Sequence, residues 1–285
     1  MKIRDVYRQG KKELKTANIE DANYDSMCLF EHCFGLTRQD IIINGDNTAD
    51  EAKSNLYFSM IKRRKKREPL QYILGYWFFM DLKFYVGDGV LIPREDTEVL
   101  VYSVLNTLSS GKNPTILDLC AGSGAIGVSL ADKIKDSRVY CVELSKVAFK
   151  YLLKNIEHNK TKNVTAINAD IFDIDRLINT NKLSLVDAIV SNPPYISEED
   201  MKVLQKEVQK EPELALYGGE DGLDYYRFIL KDWSKVLKSG GIMAVEIGIG
   251  QQEAVMSLFR ENGITGIKCI KDINNIYRVV MGIKS

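Results

Sequence analysis

Histidine is nearly missing from this chain: His32 and His158 are the only two in 285 residues. The cysteines, Cys28, Cys33, Cys120, Cys141 and Cys269, are scattered and odd in number, and none forms a C-x-x-C pair. A zinc site needs about four nitrogen or sulfur ligands at recognisable spacing, so none is expected. Unpatterned thiols also argue against a disulfide framework and fit the reducing cytoplasm. An excess of charge of either sign is lacking too, because 39 Lys and Arg balance 39 Asp and Glu. A net charge of zero provides no global attraction to nucleic acid. No apolar run approaches the roughly 18 residues that suggest a membrane span. The opening Met1-Lys2-Ile3-Arg4-Asp5 lacks the apolar segment of a signal peptide. What remains, 45% hydrophobic and 27% charged, is ordinary for a soluble globular chain of one large domain or two.

The first third is helical in pattern. Apolar residues recur at three- and four-residue spacing over 3–17, about 21–34 and 48–67, for example at Leu56, Met60 and Ile61. Asp21 and Thr48 are candidate N-caps, and Gly35 a candidate helix end. Lys62-Arg63-Arg64-Lys65-Lys66-Arg67 has two readings. It is a patch for RNA or an acidic partner, or a solvated last helical turn where cations complement the helix dipole. The neutral chain favours the second, and Pro69 closes the unit. From 70 to 93 aromatic density and the turn signal Gly87-Asp88-Gly89 suggest a β-hairpin connector. Asp96-Thr97-Glu98 then opens a helix of about 97–109.

Beyond residue 114 strands and helices alternate. Short apolar strands at 115–119, 138–143, 164–168, 186–191 and 242–247 are separated by helical stretches. Such β-α repeats imply a parallel, doubly wound sheet with right-handed crossovers. Two further strands, 264–271 and 276–283, turn at Asn274-Asn275 and suggest an antiparallel strand at one edge.

Two stretches carry chemistry. After the first of these strands, Gly122, Gly124 and Gly127 fit G-x-G-x-x-G, and Glu143 stands about 20 residues on. Glycines let a backbone approach a nucleoside, and a carboxylate ending the second strand accepts from ribose hydroxyls. Those features alone suit NAD and S-adenosylmethionine (AdoMet) about equally. Asp118 favours AdoMet, because a carboxylate there repels a pyrophosphate yet suits a cationic amino acid. The second stretch is Asn192-Pro193-Pro194-Tyr195, following Val186–Ser191. Neither proline can donate to a strand ladder, and Pro193 keeps Asn192 out of the helical region. The result is a stiff turn at a strand's C-terminal end, where open α/β sheets place ligands. Asn192 and its neighbours offer carbonyl oxygens, and Tyr195 an aromatic face, which together suit a flat –NH2 group. A capping Asn in a tight loop is the plainer reading of the tetrapeptide taken alone.

Together these residues resemble a known family. Asp118-x-x-x-Gly122-x-Gly124 is similar to the AdoMet motif of class I methyltransferases. N-P-P-Y resembles the motif of enzymes that methylate exocyclic or amide nitrogens. Leu70-Gln71-Tyr72-Ile73-x-Gly75, Val90-Leu91-Ile92-Pro93-Arg94 with Thr97-Glu98, and the segment from Glu211-Pro212 to Tyr226-Arg227 resemble the release factor glutamine methyltransferases, the HemK/PrmC family. The likeness runs from about 68 to the C-terminus. It departs at Cys120, where the family shows Gly, at Glu143, where Asp is commoner, and at Glu95-Asp96, where Pro-Glu is usual. A closing D-x-x-G-x-x-R pattern reads Asp272-Ile273-Asn274-Asn275-Ile276-Tyr277-Arg278, with Asn275 able to take the left-handed conformation of the Gly.

The resemblance implies a Rossmann-like α/β domain with a seven-stranded, mostly parallel sheet over 94–285, a helical substrate-recognition domain over 1–69 and the connector over 70–93. It implies AdoMet as cofactor and no metal. Asp118, Leu119, Cys120, Ala121, Gly122 and Gly124 would hold the methionine end, and Glu143 the ribose. Asp170, Ile171 and Phe172 would lie along the adenine, with Ile171 or Phe172 as the apolar wall. Asn192, through its side-chain oxygen, and Pro193, through its carbonyl, would accept the two amide hydrogens, while Pro194 and Tyr195 complete the substrate site. The implied partner is a class-1 peptide chain release factor, methylated on the glutamine of its Gly-Gly-Gln loop by a cytoplasmic enzyme, with a monomer expected. A ribosomal-protein glutamine methyltransferase shares nearly all these motifs. An adenine-N6 DNA methyltransferase would need a basic face and more chain for target recognition.

Overall fold

The computed structural model describes residues 1–108, 113–181 and 183–285, which divide into two units, Met1–Tyr76 with Gln205–Lys210 and Trp77–Leu204 with Glu211–Ser285. In the first, helices Ile3–Thr16, Ala22–Phe34 and Glu51–Lys65 fall near their expected bounds. They bury Val6, Leu14, Leu29, Phe30, Tyr57 and Ile61. Gly35 ends the second helix at φ 68°. The caps differ from expectation. Asp21 makes no side-chain cap bond, and the helix expected from Thr48 begins after Asp50, whose carboxylate accepts from Lys53 N at 2.9 Å. A further helix, Arg38–Asn44, is set by the Thr37–Asp40 capping box. Its Ile41-Ile42-Ile43 run lacks helical spacing and hid it from the sequence reading.

Most of the basic run is engaged inside this unit. Arg64 is buried against Asp25 at 2.6 Å and reaches Glu207 at 2.9 Å. Arg67 pairs with Glu207 at 3.2 Å, Arg63 with Glu68, and Lys65 with Glu13 at 2.9 Å. Lys62 and Lys66 alone of the six stay exposed without such a pair. The unit does not stop at Pro69. That residue precedes a short helix, Leu70–Leu74, which packs on the helices at 22–34 and 51–65. The hairpin is therefore narrower than the expected 70–93, comprising only β1 (Tyr76–Phe79) and β2 (Leu82–Tyr85).

The second unit is built on seven strands: β3 (Thr115–Leu119), β4 (Arg138–Glu143), β5 (Val164–Asn168), β6 (Val186–Ser191), β7 (Leu237–Glu246), β8 (Ile264–Lys271) and β9 (Tyr277–Lys284). Their order is β5-β4-β3-β6-β7-β9-β8, with only the pairings of β9 antiparallel. The expected antiparallel edge strand needs correcting, because β9 inserts between β7 and β8 and leaves β8 at the edge. The reversal is tight: Asp272 Oδ1 accepts from Asn274 N and Ile276 N, and Asn275 takes φ 64°. The helix expected over 97–109 runs Glu98–Thr107 after a turn at Glu95–Thr97, and position 109 lies outside the described residues.

Side-chain alternation assigns each residue to a face. Ile116, Ala188, Val190, Ile242 and Ala244 share one core with the helices Glu98–Thr107 and Ala125–Lys133. Leu117, Leu119, Ile189, Met243 and Val245 share the other with the helices Asp224–Asp232 and Gln252–Glu261. A sheet covered on both faces reads as continuous apolar runs, and these strands do.

Candidate functional site

From β3 the chain winds to β4 and β5 on one side, then crosses back to β6 and β7 on the other. The ends of β3 and β6 therefore flank the point where strand order reverses, which opens a crevice. The loop after β3 forms its floor. Cys120 and Gly122 take φ 61° and 56°, a conformation that penalises side chains other than Gly. Ala121 N donates to Val142 O at 2.9 Å, and Gly122 N to Glu143 Oε2 at 2.7 Å. A Cβ placed on Gly122 would meet no atom within 4 Å, so the loop borders open space. Buried Asn155 braces this floor by donating to Ser123 O at 2.9 Å and Tyr85 O at 3.1 Å, while accepting from Tyr85 N.

A cavity of about 650 Å³, counted to its open mouth, lies above the loop. Of the residues expected there, Cys120, Gly122, Glu143, Asp170, Ile171, Asn192 and Pro194 line it. Glu143 ends β4, and its Oε1 accepts from Ser145 N at 2.6 Å, so both carboxylate oxygens are oriented by backbone donors. Burial raises this carboxyl above its usual range, and those backbone hydrogen bonds oppose the rise. Ile171 forms an apolar wall that is held from behind, where buried Trp233 donates Nε1 to Ile171 O at 3.1 Å. Phe172 stands outside the lining, nearly half exposed, its ring tilted against Phe228 at 4.5 Å and Tyr225 at 5.4 Å between centroids.

Asp118, Leu119, Ala121 and Gly124 do not line the cavity. Asp118 shares the β3 face of Ile116 and is fully buried there. Its Oδ2 accepts from Gly127 N at 2.8 Å, and Oδ1 has no partner among the described residues. Burial pushes its carboxyl up to about 7. Here the aspartate ties the helix Ala125–Lys133 to the strand that carries the loop.

In the Asn192–Tyr195 turn, Asn192 and Pro194 line another wall, whereas Pro193 and Tyr195 are not among the lining residues. Asn192 Nδ2 donates to Thr97 Oγ1 at 3.2 Å, while its Oδ1 and the Pro193 carbonyl accept from no described residue. Tyr195 is half-buried, and its hydroxyl donates to Glu246 Oε1 at 3.3 Å. Behind the turn, Gln251 Nε2 donates to Tyr195 O at 2.9 Å, and Ile196 pairs with Tyr217 as an isolated bridge. The glycines of the 211–224 segment allow this contact, since a Cβ on Gly218 would fall 2.7 Å from Pro194 O. The same segment begins at buried Glu211, which accepts from Ile92 N at 3.0 Å and pairs with Arg94. It then contributes Pro212, Leu214 and Ala215 to the cavity.

Sequence reasoning missed Tyr225, which lines the cavity, and the buried carboxylate Glu246. Tyr225 sits on an amphipathic helix and Glu246 ends an apolar strand, so neither is marked locally. Chemically, the lining holds two carboxylates, Glu143 and Asp170, and no Lys or Arg among the described residues. Such a cavity repels a pyrophosphate and suits a nucleoside with cationic substituents.

Comparison with known proteins gives a consistent answer. Residues 5–75 match the PrmC N-terminal domain family, and residues 96–220 the methyltransferase small domain. A curated relative from Clostridium acetobutylicum, named release factor glutamine methyltransferase, is 37% identical over 100% of this chain and 99% of its own. Another of that name, from Thermodesulfovibrio yellowstonii, is 40% identical over 80% of each chain. Among solved structures, the hMettl16 catalytic domain superposes with TM-score 0.57 at 13% identity, covering 83% of each chain, and shares the fold.

Proposed function

The chain belongs to the release factor glutamine methyltransferase family, and from that premise we propose that it methylates the side-chain amide nitrogen of the glutamine in the Gly-Gly-Gln loop of class-1 peptide chain release factors, in the cytoplasm. It is an AdoMet-dependent methyltransferase. One observation carries the choice of acceptor: Asn192 lines the cavity with an Oδ1 that takes no donor from any described residue, and the adjoining Pro193 carbonyl takes none either. Two fixed acceptors on a rigid turn match the two hydrogens of a primary amide.

The residues present fit AdoMet. Glu143 presents oriented carboxylate oxygens for ribose hydroxyls, Gly122 leaves room for close approach, and Ile171 with Tyr225 offers apolar surface for adenine. When bound, AdoMet supplies a sulfonium methyl group as the electrophile. The remaining work falls to the chain. An amide nitrogen is a weak nucleophile because its lone pair is delocalised into the carbonyl. By accepting both amide hydrogens, Asn192 and Pro193 orient that nitrogen and favour the pyramidal form, in which the lone pair is localised. Their carbonyl dipoles, oxygen ends toward the nitrogen, also stabilise the positive charge that arrives there. Tyr195 and Pro194 exclude water around the acceptor. A strong base is not required, because the alkylated amide is acidic and loses its proton after transfer.

The experiment is transfer of labelled methyl from AdoMet to unmethylated release factor, to its Gln→Ala loop variant, to ribosomal proteins and to adenine-containing DNA. Label on the release factor that vanishes in the variant is expected. Label on ribosomal protein or DNA alone would assign the same amino-group site to a different substrate.

A further inference from the structure

The first unit carries a basic groove that the mechanism above does not use. Its volume is about 1130 Å³, counted to its open face, and both the helix Ile3–Thr16 and the helix Arg38–Asn44 line it. Six of the nine lining residues are cations: Arg4, Arg8, Lys11, Lys12 and Lys15 from the first helix and Arg38 from the second. No Asp or Glu lines it among the described residues. Arg4 is paired with Asp46. The other five form no ion pair with any described residue, and all of them but Lys11 are exposed.

Arg4, Arg8, Lys11 and Lys15 stand four, three and four residues apart, so they make one stripe along their helix. At about 1.5 Å per residue the stripe is about 16 Å long. Packing does not require it, because this helix buries Ile3, Val6, Gly10 and Leu14. Like charges three and four residues apart on a helix repel one another. The stripe therefore weakens its own helix, and an anion from outside is what would offset it.

Two polyanions fit such a groove, a nucleic-acid strand and an acidic protein segment. Composition decides between them. Protein–protein interfaces are poor in lysine, whereas three of these nine lining residues are lysines. Interfaces with nucleic acid are much more positive. The rest of the lining, Tyr7, Ile41 and Ile42, sets one aromatic ring and two aliphatic chains beside the cations. Grooves for single strands combine charge for the phosphates with such surface for the base faces. RNA is the nucleic acid that presents single strands, in its loops and ends. We propose that this groove binds single-stranded RNA through its phosphates, without reading its sequence.

A net charge of zero is no obstacle, because a groove lined by one sign of charge focuses its field locally. The run at 62–67 suggests the same chemistry in the sequence, but Asp25, Glu13, Glu68 and Glu207 engage most of it. The cations of the first helix are interspersed with other residues and form no such run. The groove lies wholly within the first unit and needs nothing from the acceptor cavity.

The test is fluorescence anisotropy of the full chain with a labelled oligouridine of about twelve nucleotides, titrated at about 50 to 200 mM salt. With four or five phosphates paired, log affinity should fall against log salt with a slope of about −3. Arg8→Gln with Lys15→Gln should make that slope shallower by about 1.4 and weaken binding about tenfold or more at the lowest salt. Lys62→Gln with Lys66→Gln removes the same charge outside the groove and should stay within about twofold of wild type. All four side chains are exposed, so both variants should melt at or near the wild-type temperature. Absence of binding at the lowest salt overturns the proposal. Equal weakening in the two variants would reduce the effect to net charge and overturn the groove. Tighter binding of an acidic helical peptide than of the oligouridine would give the groove to a protein partner instead.

Discussion

Gly222→Ala probes how the acceptor turn is braced. Gly222 sits at φ 75°, and a Cβ there would lie 2.4 Å from Tyr195 O and 2.8 Å from Gln251 Nε2. Ordinary contact begins near 3.4 Å, so the Tyr195 carbonyl must retreat by about 1 Å. That movement strains the 2.9 Å hydrogen bond from Gln251 Nε2 to Tyr195 O. The left-handed backbone costs about 1–2 kcal/mol for a residue with a Cβ, and the hydrogen bond about 1 kcal/mol more. Melting should therefore fall by roughly 5–10 °C. Turnover should fall about 100-fold, because a displacement of about 1 Å at a positioning group has that effect. Cofactor binding should change little, since Gly122 and Glu143 lie on the other side of the crevice. Gly240→Ala is the control: it has φ 77° with nothing within 4 Å, so it carries the strain without the displacement. The assay pairs calorimetric binding of S-adenosylhomocysteine with initial rates on release factor. Wild-type turnover in Gly222→Ala, or an equal loss of turnover in Gly240→Ala, would refute the bracing argument.

Other consequences are open to direct measurement. Burial raises the Asp118 carboxyl from an ordinary 3.8 to about 7, so between those values the folded state holds a proton that the unfolded chain has released. Stability of the ligand-free protein should fall as pH rises through that window, by up to about 4 kcal/mol. Asp118→Asn keeps an acceptor for Gly127 N and should make the trend shallower, with buried Glu246, also raised to about 7, supplying the remainder, and it should be the more stable form at pH 8. Urea midpoints at both ends of the range check this, and an unchanged slope would contradict it. Glu143→Gln replaces an acceptor that faces backbone N–H groups with a donor, and should weaken S-adenosylhomocysteine binding about tenfold or more by calorimetry. Arg64→Ala leaves Asp25 buried without its partner and should destabilise by about 3–5 kcal/mol in thermal unfolding. The exposed Lys62→Ala and Lys66→Ala should each stay within about 0.5 kcal/mol of wild type.

Features set by local chemistry were legible in the sequence. The β-α alternation announced the sheet, the left-handed end at Gly35 followed from glycine itself, and two prolines forced a turn after β6. Asn275 does take the left-handed conformation of the glycine it replaces. What stayed hidden depends on contacts distant in the chain. Asp118 looks like a ligand residue in its motif, but strand alternation turns it under a helix. The run at 62–67 reads as a solvated last helical turn until Asp25, Glu13 and Glu207 come to meet it. β9 slips inside β8 because strand order in space is not written in the order of strands along the chain. Glu246 ends an apolar strand without a motif, and only the fold brings it to Tyr195.

The central claim is that Asn192 holds the substrate amide rather than the cofactor or the fold. The decisive measurement is the kinetic and binding comparison of Asn192→Ala with wild type, as kcat on unmethylated release factor beside the Kd of S-adenosylhomocysteine. The account requires kcat to fall by about two to three orders of magnitude, the scale for losing one preorganised polar contact, with Kd nearly unchanged. A parallel loss of both would make Asn192 structural, and full turnover would remove it from the site.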